Sequence, residues 1–414
     1  MDSLPLFKTS KERFYFVGVL FIIFCLNLLI YFKEYKNFID EEVYQSNATV
    51  INIYDKKTYK VLKLKTDRFT VFTSIPSNQN ITIYQNINLY FLTSNISFIE
   101  YLKGFYTKSF NLTILPYSNT LKNVTNHYIL QQHTDKQIAS LYSALFLATN
   151  IDKELRSIVT HYGVSHLVAI SGFHLGVISG ILYFLLNIVY KTLHQKYFPY
   201  RNKKYDILLF TTLILFSYLI FLDLAPSLLR AFCMFIFALI FARSNIRIIS
   251  FETLFIVVII ILAIFPKLLF SVSLWLSVIG VFYIFLFIKY FSTLNKYLQI
   301  IIFNFWIFLA INPIVHYIFG TTSIDQLYSP LLTLIFTIFY PFAVFIHIVG
   351  YGDILDTFFT MIILGSYISY DIITPFYFLI FYIILSLFSI NNKYIFYSLN
   401  ILIIVFNLIL YTSC

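Results

Sequence analysis

From Val164 to Tyr190 the chain carries no charged side chain, and this run limits the possible folds more than any other feature. As a helix it would extend about 40 Å at 1.5 Å per residue, enough to cross roughly 30 Å of hydrocarbon. A helix bonds all its own backbone groups, which a span in lipid requires. The run is nevertheless not uniformly apolar. Gly172, Gly176 and Gly180 recur every fourth residue and share one helix face, where missing side chains let another backbone approach. At Ser171–Gly172 the helix can loosen, with His166 and His174 on either side. Ionisable groups at membrane depth are costly and therefore functional candidates. The plainer alternative is a kinked, packed helix whose histidines bond to their neighbours.

With 59% hydrophobic and 12% charged residues, the whole chain has the composition of a polytopic membrane protein rather than a soluble domain. Polar residues 1–13, with Lys8, Lys11 and Arg13, precede the apolar run Phe14–Phe32. No small-residue cleavage site follows before Lys33, so this run reads as a retained signal anchor, 1–32, with a cytoplasmic N-terminus. An amphipathic helix is expected over 136–160, then spans near 164–190, 205–222, 228–242, 248–265, 268–288, 298–319 and 330–350. The basic loops 191–204, 243–247 and 289–296 alternate with 223–227, 266–267 and 320–329, which are nearly free of positive charge. That alternation is what an inside-outside count predicts. Beyond residue 350, segment 354–370 reads as interfacial, and 375–390 and 394–411 as spans.

Residues 33–135 contain no span and are expected outside the cytoplasm. Within them ATVINIY, TYKVLKLK, RFTVFTS and ITIYQNINLYF read as short strands separated by turn residues, so a small β-barrel is expected. Lys56, Lys57, Lys60, Lys63, Lys65 and Arg68 crowd one hairpin with Tyr54, Tyr59 and Phe69 between them. Single-stranded nucleic acid is bound by such mixtures of basic groove and stacking aromatics; a solvated, Lys-rich sheet edge is the alternative. Cys25 and Cys233 fall in expected spans and Cys414 is terminal, which leaves the loop without a disulfide. Arg230 lies one turn into the span after Pro226, where it either snorkels to the interface or serves an anionic group. Ser273, Ser277 and Gly280 form a second small-residue face.

The string GVSHLVAISGFHLG, residues 163–176, closely resembles the GxSHLLAISGLHxG signature of the ComEC competence family, and 141–162 is similar to the helix that leads into it. Four further elements resemble that family. FIEYLKGF (98–105) is similar to F-x-x-Y-L-x-x-G-[IF] with one residue fewer, and SLLRAFCM (227–234) to S-x-x-R-A-x-x-M. LWLSV (274–278) resembles G-F-Q-L-S-F with Ser273 for Gly and Trp275 for Gln, and SPLLTL (329–334) resembles S-P-L-x-N-L with Thr333 for Asn. The resemblance implies an α-helical polytopic membrane protein with a small β-rich, OB-like extracytoplasmic domain (33–135) between the first and second spans, a competence-type domain over 136–350, and C-terminal membrane helices over 351–414.

It also implies a channel or translocase that carries one strand of transforming DNA across the bacterial cytoplasmic (inner) membrane. His166, Ser171, Gly172, His174 and Arg230 would lie on the DNA pathway. Implied partners are single-stranded DNA, membrane lipid, a periplasmic DNA-binding protein and a separate nuclease or motor, with a homo-oligomer also open. Longer relatives carry a C-terminal metallo-β-lactamase-like domain. Here there is no H-x-H-x-D-H string and no G-x-x-x-x-G-K-[ST] loop, so no metal, cofactor or ATPase chemistry is expected and the nuclease is expected in trans. Two other functions use some of the same residues. One is a secondary transporter of a small anionic solute, served by a broken helix and a buried Arg. The other is an intramembrane serine hydrolase with Ser171 as nucleophile and His316 or His347 as base, although the first Gly of a nucleophile elbow is missing. Outside that reading, His316, His347 and Glu252 are assigned to packing or interface positions.

Overall fold

A computed structural model describes residues 6–413 apart from 8, 80, 84, 116–119, 245–248, 364 and 366. Lys8, Arg247 and Cys414, used above for topology and cysteine pairing, lie outside the described residues. The chain forms two units, 1–124 with 255–275, and 125–254 with 276–414.

The first unit begins with α1 (Ser10–Ile39), whose N-terminal turn is capped by Thr9 accepting from the Glu12 N–H. This helix outlasts the apolar run because its last turns pack on the following sheet: Phe38 is buried and Tyr35 Oη donates to the Ile96 carbonyl at 2.8 Å. Then come β1 (Val43–Asp55), β2 (Tyr59–Lys65), β3 (Thr70–Pro76), β4 (Asn86–Leu92), α2 (Phe98–Lys103), β5 (Phe105–Tyr106) and β6 (Ser109–Ile114). The sheet order is β5-β3-β2-β1-β4-β6. β5 joins β3 in parallel, β6 joins β4 antiparallel, and only residues 107–108 separate them. One piece of chain therefore borders both edge strands, and Thr73 Oγ1 on β3 donates to Ser109 Oγ on β6 at 2.7 Å. The sheet closes on itself, which leaves no long free edge. Inward positions alternate along the strands, placing Val50, Leu62, Leu64, Val71, Ile87, Leu89 and Phe91 in the core.

The FIEYLKGF segment closes one end of this barrel. A capping box between Ser97 and Glu100 starts α2, and Tyr101 and Phe105 pack with Phe38 and Phe69. Gly104 has φ +97°, and a Cβ there would stand 3.2 Å from the Thr70 carbonyl, so both backbone and space call for glycine. Phe69 is therefore a core residue, not a base-stacking one. The 3-10 turn Pro266–Phe270 belongs to the same unit: Lys267 Nζ bonds the Arg68 carbonyl and lies 5.6 Å from the Tyr101 ring. Burial lowers the Lys267 pKa from the usual lysine value, with Glu34 opposing. Loop 266–267 and the barrel, both expected on the outer side, are thus found together.

The second unit is helical. The remaining elements are α3 (Leu121–Leu130), α4 (Lys136–Leu147), α5 (Lys153–His161), α6 (Ser165–Val168), α7 (Gly172–Tyr197), α8 (Lys203–Phe221), α9 (Pro226–Arg243), α10 (Phe251–Ile264), α11 (Val272–Phe291), α12 (Lys296–Ile318), β7 (Thr321–Thr322), α13 (Ser329–Val349), α14 (Asp356–Ile363), β8 (Tyr370–Asp371), α15 (Phe376–Phe388) and α16 (Lys393–Thr412); all lie in the second unit except the first residues of α3 and α11 and most of α10, from Phe255 on, which fall in the first. Among the described residues seven helices are long and apolar enough to cross a membrane: α1, α7, α8, α11, α12, α13 with its preceding turn, and α16. The expected spans at 228–242, 248–265 and 375–390 correspond to α9, α10 and α15, of 18, 14 and 13 residues, outside that set.

In place of one amphipathic helix over 136–160 there are two. The break falls at Ala148, φ +56°, and Asp152 restarts the helix by accepting from the Leu155 N–H at 2.7 Å. α4 is buried on most sides, inside a core that joins Tyr142 and Leu145 to Leu155, Leu175, Leu215, Leu228 and Tyr340. A second core gathers Tyr283, Trp306, Tyr382, Phe396 and Leu399 from α11, α12, α15 and α16. Segment 354–370 holds the short α14, and Thr321 and Thr322 of β7 pair with Asp371 and Tyr370 of β8.

Candidate functional site

The charge-free run does not form one helix. Its first residues make α6, Ala169 is extended, and the long helix α7 starts only at Gly172. Ser171 produces that start. Its hydroxyl accepts from the Phe173 N–H at 3.3 Å, while its own N–H donates to His174 Nδ1 at 3.2 Å. This is a capping box in which histidine takes the place usually held by Glu or Gln. The loosening expected at Ser171–Gly172 is a complete break. His174 does not face an open path, contrary to expectation: it is fully buried, edge-on to Tyr340 at 4.7 Å and Phe336 at 5.3 Å.

Upstream of the break, Gly163 turns the chain at φ +65°. Its carbonyl accepts from Ser329 Oγ at 2.9 Å and from His166 Nδ1 at 3.1 Å. On the other edge of its ring, His166 Nε2 lies 3.4 Å from Thr333 Oγ1, and the side chain is exposed. Gln326 Nε2 donates to the carbonyls of Thr160 and Thr321 at 3.2 and 3.0 Å. Beside it His161, buried, holds Asp325 Oδ2 at 2.7 Å on Nε2 and Ser369 Oγ at 3.0 Å on Nδ1. On the downstream side, the position of an absent Cβ on Gly172 is 3.6 Å from Ala231 Cβ. Arg230, the preceding residue on α9, is only 5% exposed, so it is enclosed by protein rather than snorkelled to an interface.

Elements far apart in sequence thus meet: 163–166 and Ser329–Thr333 through hydrogen bonds at a polar junction, and Gly172 with Ala231 in van der Waals contact. In the LWLSV element, Trp275 is 40% exposed and its Nε1 donates to the Leu269 carbonyl at 2.8 Å. His161, Asp325, Gln326 and Ser369 were not singled out from sequence. His161 lies two residues before the resembling string, but its partners lie 164 and 208 residues away. The serine-hydrolase assignment loses its base: His316 Nδ1 bonds the Asn312 carbonyl and His347 Nδ1 the Ala343 carbonyl, at 2.9 and 2.7 Å, and neither is bonded to Ser171.

The small-residue faces are a correction. A Cβ on Gly176, Gly180 or Gly280 would meet nothing within 4 Å, so these glycines permit no close approach within the described residues. Ser273 is exposed and Ser277 half-buried. Gly172 alone of these glycines touches a neighbour, at ordinary van der Waals distance.

The basic residues of the barrel are also arranged differently from a single crowded hairpin. Lys56 and Lys57 sit in the β1–β2 turn, and Lys65 and Arg68 at the opposite end of β2, about 20 Å away along seven extended residues. Lys60 pairs across the ladder with Asp55. A bulge after Val50 resets β1 so that Tyr54 and Asn52 stand opposite Val61 and Lys63. The outward face therefore carries Tyr54 and Lys63, with Lys63 Nζ 5.8 Å from the Phe72 ring and Tyr106 beyond it on β5, its Oη donating to Ser74 Oγ.

The family model described as Competence, competence protein, matches residues 147–372, more than half of the 414-residue chain. No curated protein and no solved structure matches. The matched segment begins at the last residue of α4 and contains the residues of the polar junction, from Thr160 and Gly163 to Thr333 and Ser369, together with Arg230. By that match the chain belongs to the competence protein family, whose role is in DNA uptake, and it is a multi-pass membrane protein.

Proposed function

We propose that this protein carries a single strand of transforming DNA across the bacterial cytoplasmic membrane. Its N-terminus would be cytoplasmic and its OB-like barrel on the outer side. The observation that carries the reading is the coincidence of the family match with a junction where Gly163, Ser329, His166 and Thr333 meet, in a chain whose Arg230 is enclosed near the start of α9. Polar groups at a helix break within a membrane domain serve a charged substrate, as lipid-exposed ones cannot. Arg230 supplies the planar cation suited to phosphate. On the barrel, the outward face with Tyr54, Lys63, Phe72 and Tyr106 offers stacking and charge to an unpaired strand. Strand degradation and driving force come from other proteins in this proposal, and DNA is delivered by a separate binding protein.

Deleting the gene is expected to abolish natural transformation while DNA binding at the cell surface persists; normal transformation frequency would refute the proposal. A second expectation concerns the barrel. Single-stranded DNA binding by the full-length protein in detergent should weaken as salt rises, by about 0.7 log units per log unit of salt for each phosphate contact. Changing Lys56, Lys57, Lys60 and Lys63 to Gln should reduce that slope, and an unchanged slope would remove the barrel from the DNA path.

A further inference from the structure

Away from the junction, at the other end of α13, a second polar cluster is closed inside the second unit. Asp356 Oδ1 lies 2.8 Å from His133 Nδ1, His133 Nε2 lies 3.0 Å from His347 Nε2, and His347 Nδ1 lies 2.7 Å from the Ala343 carbonyl. The His133 side chain is inaccessible, that of Asp356 is 15% exposed, and His347 is 4% exposed. The Tyr142 ring stacks on His133 at 4.8 Å and stands 4.3 Å from His347. Gln132 braces the row: its Nε2 donates to the His347 carbonyl and its Oε1 accepts from the Gly352 N–H, at 3.1 and 2.9 Å. A Cβ on Gly352 would stand 2.6 Å from Gln132 Oε1 and 2.8 Å from His347 Nε2, so the enclosure leaves room for glycine only.

Counting hydrogens fixes the protonation of this row. A carbonyl only accepts, so His347 Nδ1 must carry a hydrogen, and in a neutral ring its Nε2 then has a lone pair. His133 Nε2 faces that lone pair and must donate to it, or else accept from a protonated His347. The link to Asp356 needs a further hydrogen, on His133 Nδ1 or on the carboxyl. Every arrangement that makes all three bonds therefore holds one proton more than a carboxylate with two neutral imidazoles. Remove it, and two nitrogen lone pairs confront each other at 3.0 Å out of reach of water.

We propose that Asp356, His133 and His347 form a one-proton binding site whose occupancy ties the end of α13 to α14 and to the α3–α4 turn. Its ligand is a proton, and the element it locks is the helix whose first residues, Ser329 and Thr333, clasp the junction. Of the other titratable groups on the packed elements, the Tyr142 phenol lies against both histidines, and burial and then Asp356 push its pKa well up, so that it stays neutral; the Tyr128 hydroxyl lies at Gly350.

Unfolded, the two histidines titrate near pH 6.5 and the carboxyl near 4, so from about pH 7 upward the unfolded chain holds less than one proton, and above about pH 8 almost none, while the folded site in this proposal holds one. Stability must then fall as pH rises, with the folded-to-unfolded ratio losing up to tenfold per pH unit until the site itself empties. Below about pH 6 the sign reverses, because the unfolded chain takes up two protons against one.

The test is the melting temperature of the full chain in detergent from pH 5 to 9, for wild type, Asp356→Asn and His347→Gln. In Asp356→Asn the new side-chain amide donates to His133 Nδ1 and leaves the His133 Nε2–H for His347, so all links persist without the extra proton. In His347→Gln the new amide donates to His133 Nε2, with the same consequence. Both variants are expected to fold and to lose the decline above pH 7 seen in wild type. Wild-type and variant profiles that run parallel would overturn the proposal. So would failure of Asp356→Asn to fold, or a wild-type melting temperature that rises with zinc and falls with chelator, which would make the pair of histidines a metal site.

Discussion

Gly163→Val is expected to remove about 2–3 kcal/mol of stability, from a left-handed residue that L side chains disfavour by roughly 1–2 kcal/mol and a lost hydrogen bond worth about 1 kcal/mol. At φ +65° a valine is strained at once, and its Cβ would stand 3.3 Å from Gln326 and Ser329. These are the residues that hold the Gly163 carbonyl and the Thr160 carbonyl, so relief of the clash pulls the clasp apart. Membrane abundance, melting temperature and transformation frequency should all fall. Gly163→Asn should be milder, because asparagine tolerates the left-handed region. A Gly163→Val protein that melts and transforms like wild type would show that the junction is not held together as described.

Arg230→Gln is expected to separate membrane abundance from transformation. Gln keeps hydrogen-bonding capacity at this position while removing the desolvation cost of the charge, so the protein should accumulate in the membrane at near wild-type level. DNA transfer should nevertheless fall about 10- to 100-fold, the equivalent of the roughly 1.5–3 kcal/mol of a hydrogen bond to a charged group. Arg230→Lys, which keeps charge but not the planar fork, should fall between. If transformation drops only in proportion to lost protein, Arg230 has a structural role and not a place on the path.

Membrane character, a small β-rich unit after the first apolar helix and the family string at 163–176 could all be read from sequence, because each rests on local pattern: long apolar runs, period-two alternation, and one specific string. What could not be read depended on partners. The start of α7 was hidden inside a charge-free run, since a cap made by Ser171 and His174 lacks the usual Glu or Gln three residues on. The break at Ala148 carried no glycine or proline to announce it. Gly176 and Gly180 had the spacing of a packing face, yet spacing says nothing of whether a neighbour is present. The β1 bulge turned the even positions from inward at Ala48 and Val50 to outward at Tyr54, which strict alternation does not foresee. His347 looked like a packing residue because His133 and Asp356 reach it only through the fold, with His133 214 residues away.

The most direct test of strand transport is to follow duplex donor DNA labelled in both strands, with surface-bound and cytoplasmic pools separated, in wild-type cells, in a deletion strain, and in the deletion strain carrying Arg230→Gln. Labelled single strands should reach the cytoplasm in wild type, be absent from the cytoplasm of the deletion strain while surface-bound DNA remains, and be reduced about 10- to 100-fold with Arg230→Gln. Single strands in the cytoplasm of the deletion strain at wild-type level would contradict the account.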